Sequence, residues 1–447
     1  MTIAHIFVVL AALINLMIFL FCWRRLNHSN RFPLAVYLLS FVITYGIGAF
    51  WIGWTEGDIL RQYMMNHMWI PDFDEQRITF WTMVFAPISI PPVVVLLLQS
   101  TAKTQQPLRP VEVPHRRTIG AATFASIFLI IAAYVTYGFR EAGHLSLDRL
   151  STIVDNIGNT TVLYENRLSI FDQGGRVFFG LIYGTLPALC HVALYQAVKK
   201  RGYRWKIIFG ICACAVIIAG LATYQIMIPM VFLLSIFVSL IYLKRLSIVS
   251  APLAILLFFI LLSTLQFVKR GEKDLSYNLR DYVLRMPHAL PYYLDCYPGH
   301  LPHTGVRLLG DLTGWLEPDP NHSLVIGQYI SPYNNIPTYT PAPANVSAYA
   351  DAGVFYSFFA LIMIGVFISI AASVSRKASE NAIWHALYIQ CLVAIYYLTQ
   401  ITIRGVLWQS YGIVWSLLGL GVLALLSRQA HPNLDGRRFK QRKALAE

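Results

Sequence analysis

Apolar residues run along most of this chain in long blocks, and polar residues collect between the blocks instead of alternating within them. A helix rises about 1.5 Å per residue, so roughly 20 apolar residues cross the hydrocarbon core of a bilayer. Eleven stretches come near that length, at 3–22, 33–54, 78–98, 118–139, 174–198, 207–223, 226–243, 247–268, 352–375, 382–402 and 406–427. The pattern predicts an all-α polytopic membrane protein: a single membrane domain over 1–447, with about 11 transmembrane helices and two enlarged outer loops. The apolar run from Ile3 to Phe21 continues into Trp23-Arg24-Arg25 without a small-residue cleavage site, so it reads as a retained first span. Pro87, Pro91 and Pro92 are expected to kink or shorten the third span.

The two enlarged connections are 140–173 and 269–351. In the first, Leu145, Leu147, Leu150, Ile153, Val154 and Ile157 recur at helical spacing, which predicts an amphipathic helix lying in the membrane interface. The second is the one long segment that could not cross a bilayer. It holds ten prolines, nine tyrosines and four histidines, too many prolines for one long helix and too many aromatics for a solvated tail. A folded cap is the expectation, with a short helix over 276–285 ahead of Pro287.

Composition agrees: 56% of residues are hydrophobic and 13% charged. A net charge of +13 would suggest nucleic acid until it is mapped onto the spans. One side carries 22 of the 35 basic residues and 4 of the 22 acidic ones, including the tail 428–447. The positive-inside rule makes that side cytoplasmic, with the N-terminus outside and the C-terminus inside. The basicity is thus topological, nucleic acid falls away as a partner, and the tail is expected to touch anionic lipid. Cys22, Cys190, Cys212, Cys214 and Cys391 lie in apolar runs and Cys296 in the large loop, so no disulfide framework is predicted.

The chain lacks the phosphate-binding loop, the dinucleotide glycine pattern, HExxH, paired CxxC and GxSxG. Asp72-Phe73-Asp74-Glu75 reads as a solvated acidic face, and His191, with no acidic partner in neighbouring spans, as a hydrogen-bonded packing residue. What recurs on the outer segments is arginine beside aromatics: Arg167, Arg176, Arg280, Arg285 and Arg404. Arginine grips phosphate through several donors, and Tyr or Trp faces stack on sugars. Arg404 lies in a tight turn between two spans, beside Gly405. It is expected to pair with a carboxylate, Asp351 being a candidate, or to wait for a diphosphate.

The order of spans and several stretches resemble the Wzy-type O-antigen and capsular repeat-unit polymerases. These stretches are AGHLSLDRL and Tyr164-Glu165-Asn166-Arg167, SYNLRDYVLRMPHALPYYLD, LVIGQYISPYNNIP followed by ANVSAYADAG, and TIRGVLWQSYG. The resemblance covers about the C-terminal two-thirds and implies a glycosyltransferase of the bacterial inner membrane. It would move a growing glycan from undecaprenyl diphosphate onto another lipid-linked repeat unit at the outer face. Neither metal nor cofactor is expected, and the implied partners are donor and acceptor lipids, membrane lipids and a chain-length regulator protein.

The resemblance implies that Arg167, Arg176, Arg280, Arg285, Arg404, Asn345 and Tyr349 bind diphosphate or glycan. Asp295, Asp311 or His303 would take the acceptor proton, with nothing to select among them. Two departures stand out. No cation occurs near Gln225, and Ala344 stands where the related ligases carry a histidine. The rival readings are a lipid-linked glycan flippase or transporter, and another lipid-phosphate-sugar glycosyltransferase using the acidic cluster at 72–75.

Overall fold

The computed structural model describes residues 3–63, 71, 75–102, 116–140, 176–200, 202–222, 227–246, 283–306, 321–330, 340–408 and 412–429. Among them all regular structure is helical. Seven helices are long and apolar enough to cross a membrane: His5–Arg25, His28–Trp54, Arg77–Ser100, Val177–Lys199, Tyr203–Gly220, Ala344–Ala378 and Ile403–Leu426. Three shorter apolar helices, Ala122–Gly138, Met227–Tyr242 and Ala382–Leu398, coincide with further expected spans. This is a helical, membrane-embedded protein. The expected span 247–268, the interfacial helix in 140–173 and the tail 430–447 lie outside the described residues.

Chain contacts group into two compact units. The first comprises 1–106, 273–376 and 391–407. Its helices begin with α1 (Ile3–Arg25), α2 (His28–Phe41), a π-helical turn at Val42–Gly46, α3 (Ile47–Trp54), α4 (Asp58–Tyr63) and α5 (Arg77–Ala102). Gln99 of α5 closes the α1–α2 turn. Its Oε1 accepts from the Asn27 N–H and from Asn30 Nδ2, both at 2.7 Å, and its Nε2 donates to the Arg25 carbonyl. The three prolines neither end nor shorten α5, which runs unbroken over 26 residues. Neighbouring helices tolerate such positions inside a bundle, and here Gly365 brings its helix against Pro91 and Val94, with no room for a Cβ.

The described parts of the large loop fold onto this unit. They include α11 (Ala289–Cys296) and α12 (His322–Ile330). Tyr292, Tyr293, Tyr297, Ile326 and Ile330 share one apolar core with Phe41, Tyr45, Ile52, Phe80 and Met83. Burying rings of that size accounts for why so proline-rich a stretch is ordered. The loop enters over Gly48, where an added Cβ would lie 2.1 Å from the Val283 carbonyl oxygen. Residues 283–284 are helical and 285–288 form a turn, so the helix expected ahead of Pro287 has ended there; 276–282 lie outside the described residues.

Three further helices follow the loop. The long α13 (Ala344–Ala378) breaks at Ala352 and Gly353; α14 is Ala382–Leu398 and α15 is Ile403–Trp408.

The second unit comprises 107–272, 377–390 and 408–447. It contains α6 (Arg116–Arg140), α7 (Arg176–Gly180), a π-helical turn at Leu181–Thr185, α8 (Leu186–Lys200), α9 (Tyr203–Ala222), α10 (Met227–Tyr242) and α16 (Ile413–Gln429). Small residues bring its helices together, as expected where no hydrophobic drive separates lipid from helix. Gly180 lies against the Trp415 ring and Gly419 against the Thr185 methyl, while Thr185 Oγ1 donates to the Trp415 carbonyl at 2.8 Å. His191 bonds Ser235 at 2.9 Å and His385 bonds Ser239 at 2.7 Å, so His191 is the hydrogen-bonded packing residue its sequence setting predicts.

Candidate functional site

A continuous helix through 344–378 would satisfy its own carbonyls. This one does not, because Ala352 (φ −151°, ψ 32°) and Gly353 (φ 75°, ψ −162°) leave helical geometry and release the carbonyls just before them. The positive φ of Gly353 falls in a region that glycine alone occupies readily. The loop segment after α11 supplies the missing donors. The Gly305 N–H bonds the Asp351 carbonyl at 2.8 Å, the Thr304 N–H bonds that of Ala350 at 3.4 Å, and His303 Nδ1 lies 3.2 Å from the same Ala350 oxygen.

That last contact determines a tautomer. A carbonyl only accepts, so Nδ1 of His303 carries the proton and a neutral ring keeps its lone pair on Nε2. Nε2 faces the break, 3.5 Å from where a Cβ on Gly353 would stand. Tyr297 stacks nearly parallel to the His303 ring, with centroids 6.3 Å apart, and Tyr349 meets it edge-on at 5.6 Å. The Tyr349 hydroxyl donates to the Tyr297 carbonyl at 3.0 Å, fixing both walls.

Behind His303 runs a buried relay. His322 Nε2 lies 2.8 Å from Asp351 Oδ1, and Thr304 Oγ1 donates to the same oxygen at 2.8 Å. His322 and Asp351 are 3% and 7% exposed, so this pair is largely shielded from water. The carboxylate accepts from Nε2, leaving Nδ1 of a neutral His322 to accept from the Tyr297 hydroxyl at 3.0 Å. Burial first, then the nearby Cys296 and Asp351 charges, raises the pKa of Tyr297, which keeps it a donor. Asp351 Oδ2 has no hydrogen-bond partner among the described residues.

Of the residues expected from sequence, His303 and Tyr349 line this break. Arg404 lies half-buried in the first turn of α15, and its neighbour Ile403 packs against the group containing Ala348, Ala352 and Tyr356. The turn is capped by Thr402, whose Oγ1 accepts the Gly405 N–H at 2.9 Å. The candidate Arg404–Asp351 pairing is not formed; Asp351 is held by His322 and Thr304. Asn345 is buried under the break's N-terminal arm, and its Nδ2 lies 3.5 Å from the Met83 carbonyl, a packing position.

Asp295 belongs to a separate cluster. It accepts from the Tyr329 hydroxyl at 2.6 Å and lies 3.6 Å from His300 Nε2. Arg285 is exposed on the turn before α11, and Arg176 opens α7 in the second unit. Arg167, Arg280 and Asp311 lie outside the described residues, so the shared Arg280–Arg285 site is not formed by described residues.

Sequence reasoning saw Asp351 only as a partner for Arg404 and gave no role to His322, Tyr297 or Thr304. The available signal was Asp351-Ala352-Gly353, a carboxylate two residues ahead of a glycine at the mouth of an apolar run. Among the described residues no group of three or more His, Cys, Asp or Glu is placed to hold a metal ion. No family model, curated protein or solved structure matches the chain.

Proposed function

We propose that this chain is a membrane glycosyltransferase that polymerises undecaprenyl-diphosphate-linked oligosaccharide repeat units at the outer face of the bacterial inner membrane. The observation that carries the reading is the broken helix at 352–353, where a histidine whose Nε2 faces the break, a buried His322–Asp351 pair and the neighbouring arginine turn come together at the start of an apolar helix. The order of the loop stretches, similar to that in Wzy-type polymerases, supports the same assignment.

In this mechanism His303 Nε2 accepts the proton of the acceptor sugar hydroxyl as that oxygen attacks the donor's anomeric carbon. The bond from that carbon to the diphosphate oxygen breaks, and the electron pair leaves with undecaprenyl diphosphate. Arg404 meets the negative charge that grows on the leaving group. Asp351 and His322 act as positioning residues that hold the 303–305 segment against the break.

The test is the length distribution of lipid-linked and surface glycan in cells carrying the chain, lacking it, or carrying His303→Gln. Loss of long polymer with retention of single repeat units, in both the deletion and the variant, is the expected result. Loss of all surface repeat units in the deletion would indicate transport across the membrane and refute the proposal, and an unchanged ladder with normally expressed His303→Gln would remove His303 from the reaction.

A further inference from the structure

The end of α8, the start of α9 and the turn after α10 line an open cavity of about 390 Å³, remote in sequence from the residues discussed above. Leu194, Ala197, Val198 and Phe209 make its apolar wall, and Lys206 and Arg245 contribute two cations. Its depth follows from the spans: one candidate span ends at Lys199 and the next begins at Tyr203, so the cavity opens where hydrocarbon gives way to headgroups. Tyr203, 76% exposed, and Trp205 occupy the same level, where aromatic rings mark the membrane interface.

Arg245 is placed there by a built turn. Lys244 adopts φ 57°, and the backbone closes with Arg245 N–H to the Leu240 carbonyl and Lys244 N–H to that of Ile241, both at 2.9 Å. This is the two-bond cap that usually places glycine at the left-handed position. It folds the chain back so that Arg245 Nη2 donates to the Val198 carbonyl at 3.1 Å, bridging α10 to α8. No carboxylate among the described residues pairs with Lys206 or Arg245. Two cations facing one cavity repel unless an anion sits between them, and the apolar wall below would leave a simple ion half unmatched.

We infer that this cavity binds an anionic phospholipid of the surrounding leaflet, with its phosphate between Lys206 and Arg245 and its glycerol and first acyl carbons against Leu194, Ala197 and Phe209. Basic pockets between membrane helices suit such headgroups. The cavity also lies at the helix ends whose loops carry the chain's excess of lysine and arginine.

The test is native mass spectrometry of the full chain released from detergent micelles, titrated with phosphatidylglycerol or with phosphatidylcholine. Phosphatidylglycerol adducts should be retained in preference to phosphatidylcholine. Each near-surface cation contributes roughly a fivefold factor, so Lys206→Glu should weaken phosphatidylglycerol binding by about that factor or more. Lys206 is exposed, and Lys206→Gln removes its charge without reversing it, giving a second reading should the reversal disturb α9. Inorganic phosphate should fail to displace the bound lipid. Equal retention of the two lipids, retention unchanged in both Lys206 variants, or displacement by inorganic phosphate would each overturn the assignment.

Discussion

Asp351 offers the sharpest test of how the helix break is held, because both of its donors land on one oxygen. His322 Nε2 and Thr304 Oγ1 each lie 2.8 Å from Oδ1. Replacement by asparagine keeps an oxygen at that position and removes only the charge, whereas alanine removes the acceptor. Hydrogen bonds to a charged group contribute about 1.5–3 kcal/mol each and neutral ones about 0.5–1.5 kcal/mol. Asp351→Asn should therefore cost about 2 kcal/mol.

Asp351→Ala leaves a buried imidazole N–H without an acceptor, for which breaking a buried pair suggests about 3–5 kcal/mol. Thr304→Ala, which removes the donor to Oδ1, should cost about 1–2 kcal/mol. The assay is equilibrium unfolding in mixed micelles of a mild detergent and dodecyl sulfate, followed by helicity. A double-mutant cycle adds the decisive measurement: with Asp351 already alanine, Thr304→Ala should cost less than in the parent chain by about the energy of the shared bond, ~1 kcal/mol or more. Additive costs for the two substitutions, or an Asp351→Ala cost below about 1 kcal/mol, would refute the shared-oxygen account.

Three other outcomes are expected. Gly353→Ala should destabilise by about 1–3 kcal/mol through backbone strain at φ 75° and not through contact, since the nearest atom to the new Cβ is at an ordinary 3.5 Å; Gly421→Ala, in helical geometry with open space, serves as the control in the same unfolding assay. Gly48→Ala places a Cβ 2.1 Å from the Val283 carbonyl oxygen, so the loop backbone must move; limited proteolysis should cleave the 283–306 segment faster than in the parent chain, and equal rates would contradict the close approach. Burial, then the Asp295 charge, pushes the Cys296 thiol up to about 11 from 9.0, so the native state holds its proton more tightly than the unfolded chain. Its contribution to stability is complete below about pH 9 and is lost as pH rises through about 11, so Cys296→Ala should flatten part of the alkaline fall in stability measured by pH-dependent melting.

The sequence by itself determined what depends on runs and sums. Among the described residues, apolar blocks of bilayer length are helices, because in hydrocarbon a chain must satisfy its own backbone polar groups and helix is the local way to do so. Aromatic density pointed to folding in the large loop, and in its described parts rings such as Tyr292 and Tyr293 are buried, which repays the ordering of a proline-rich segment. Arg404 was legible as a candidate from its tight turn between apolar spans, whereas His303 and Tyr349 entered only through the resemblance.

Tertiary structure alone decided which of them meet. Nothing in residue spacing brings His322 to Asp351, 29 positions away, or aims His303 Nδ1 at the Ala350 carbonyl 47 positions on. Those encounters exist because Gly353 breaks a helix and frees carbonyls that only a distant segment can satisfy. The prolines of α5 did not shorten it, for the complementary reason. Local chemistry allowed an early helix end, but a neighbouring helix carrying Gly365 at the contact supplies packing that a single segment's text does not contain.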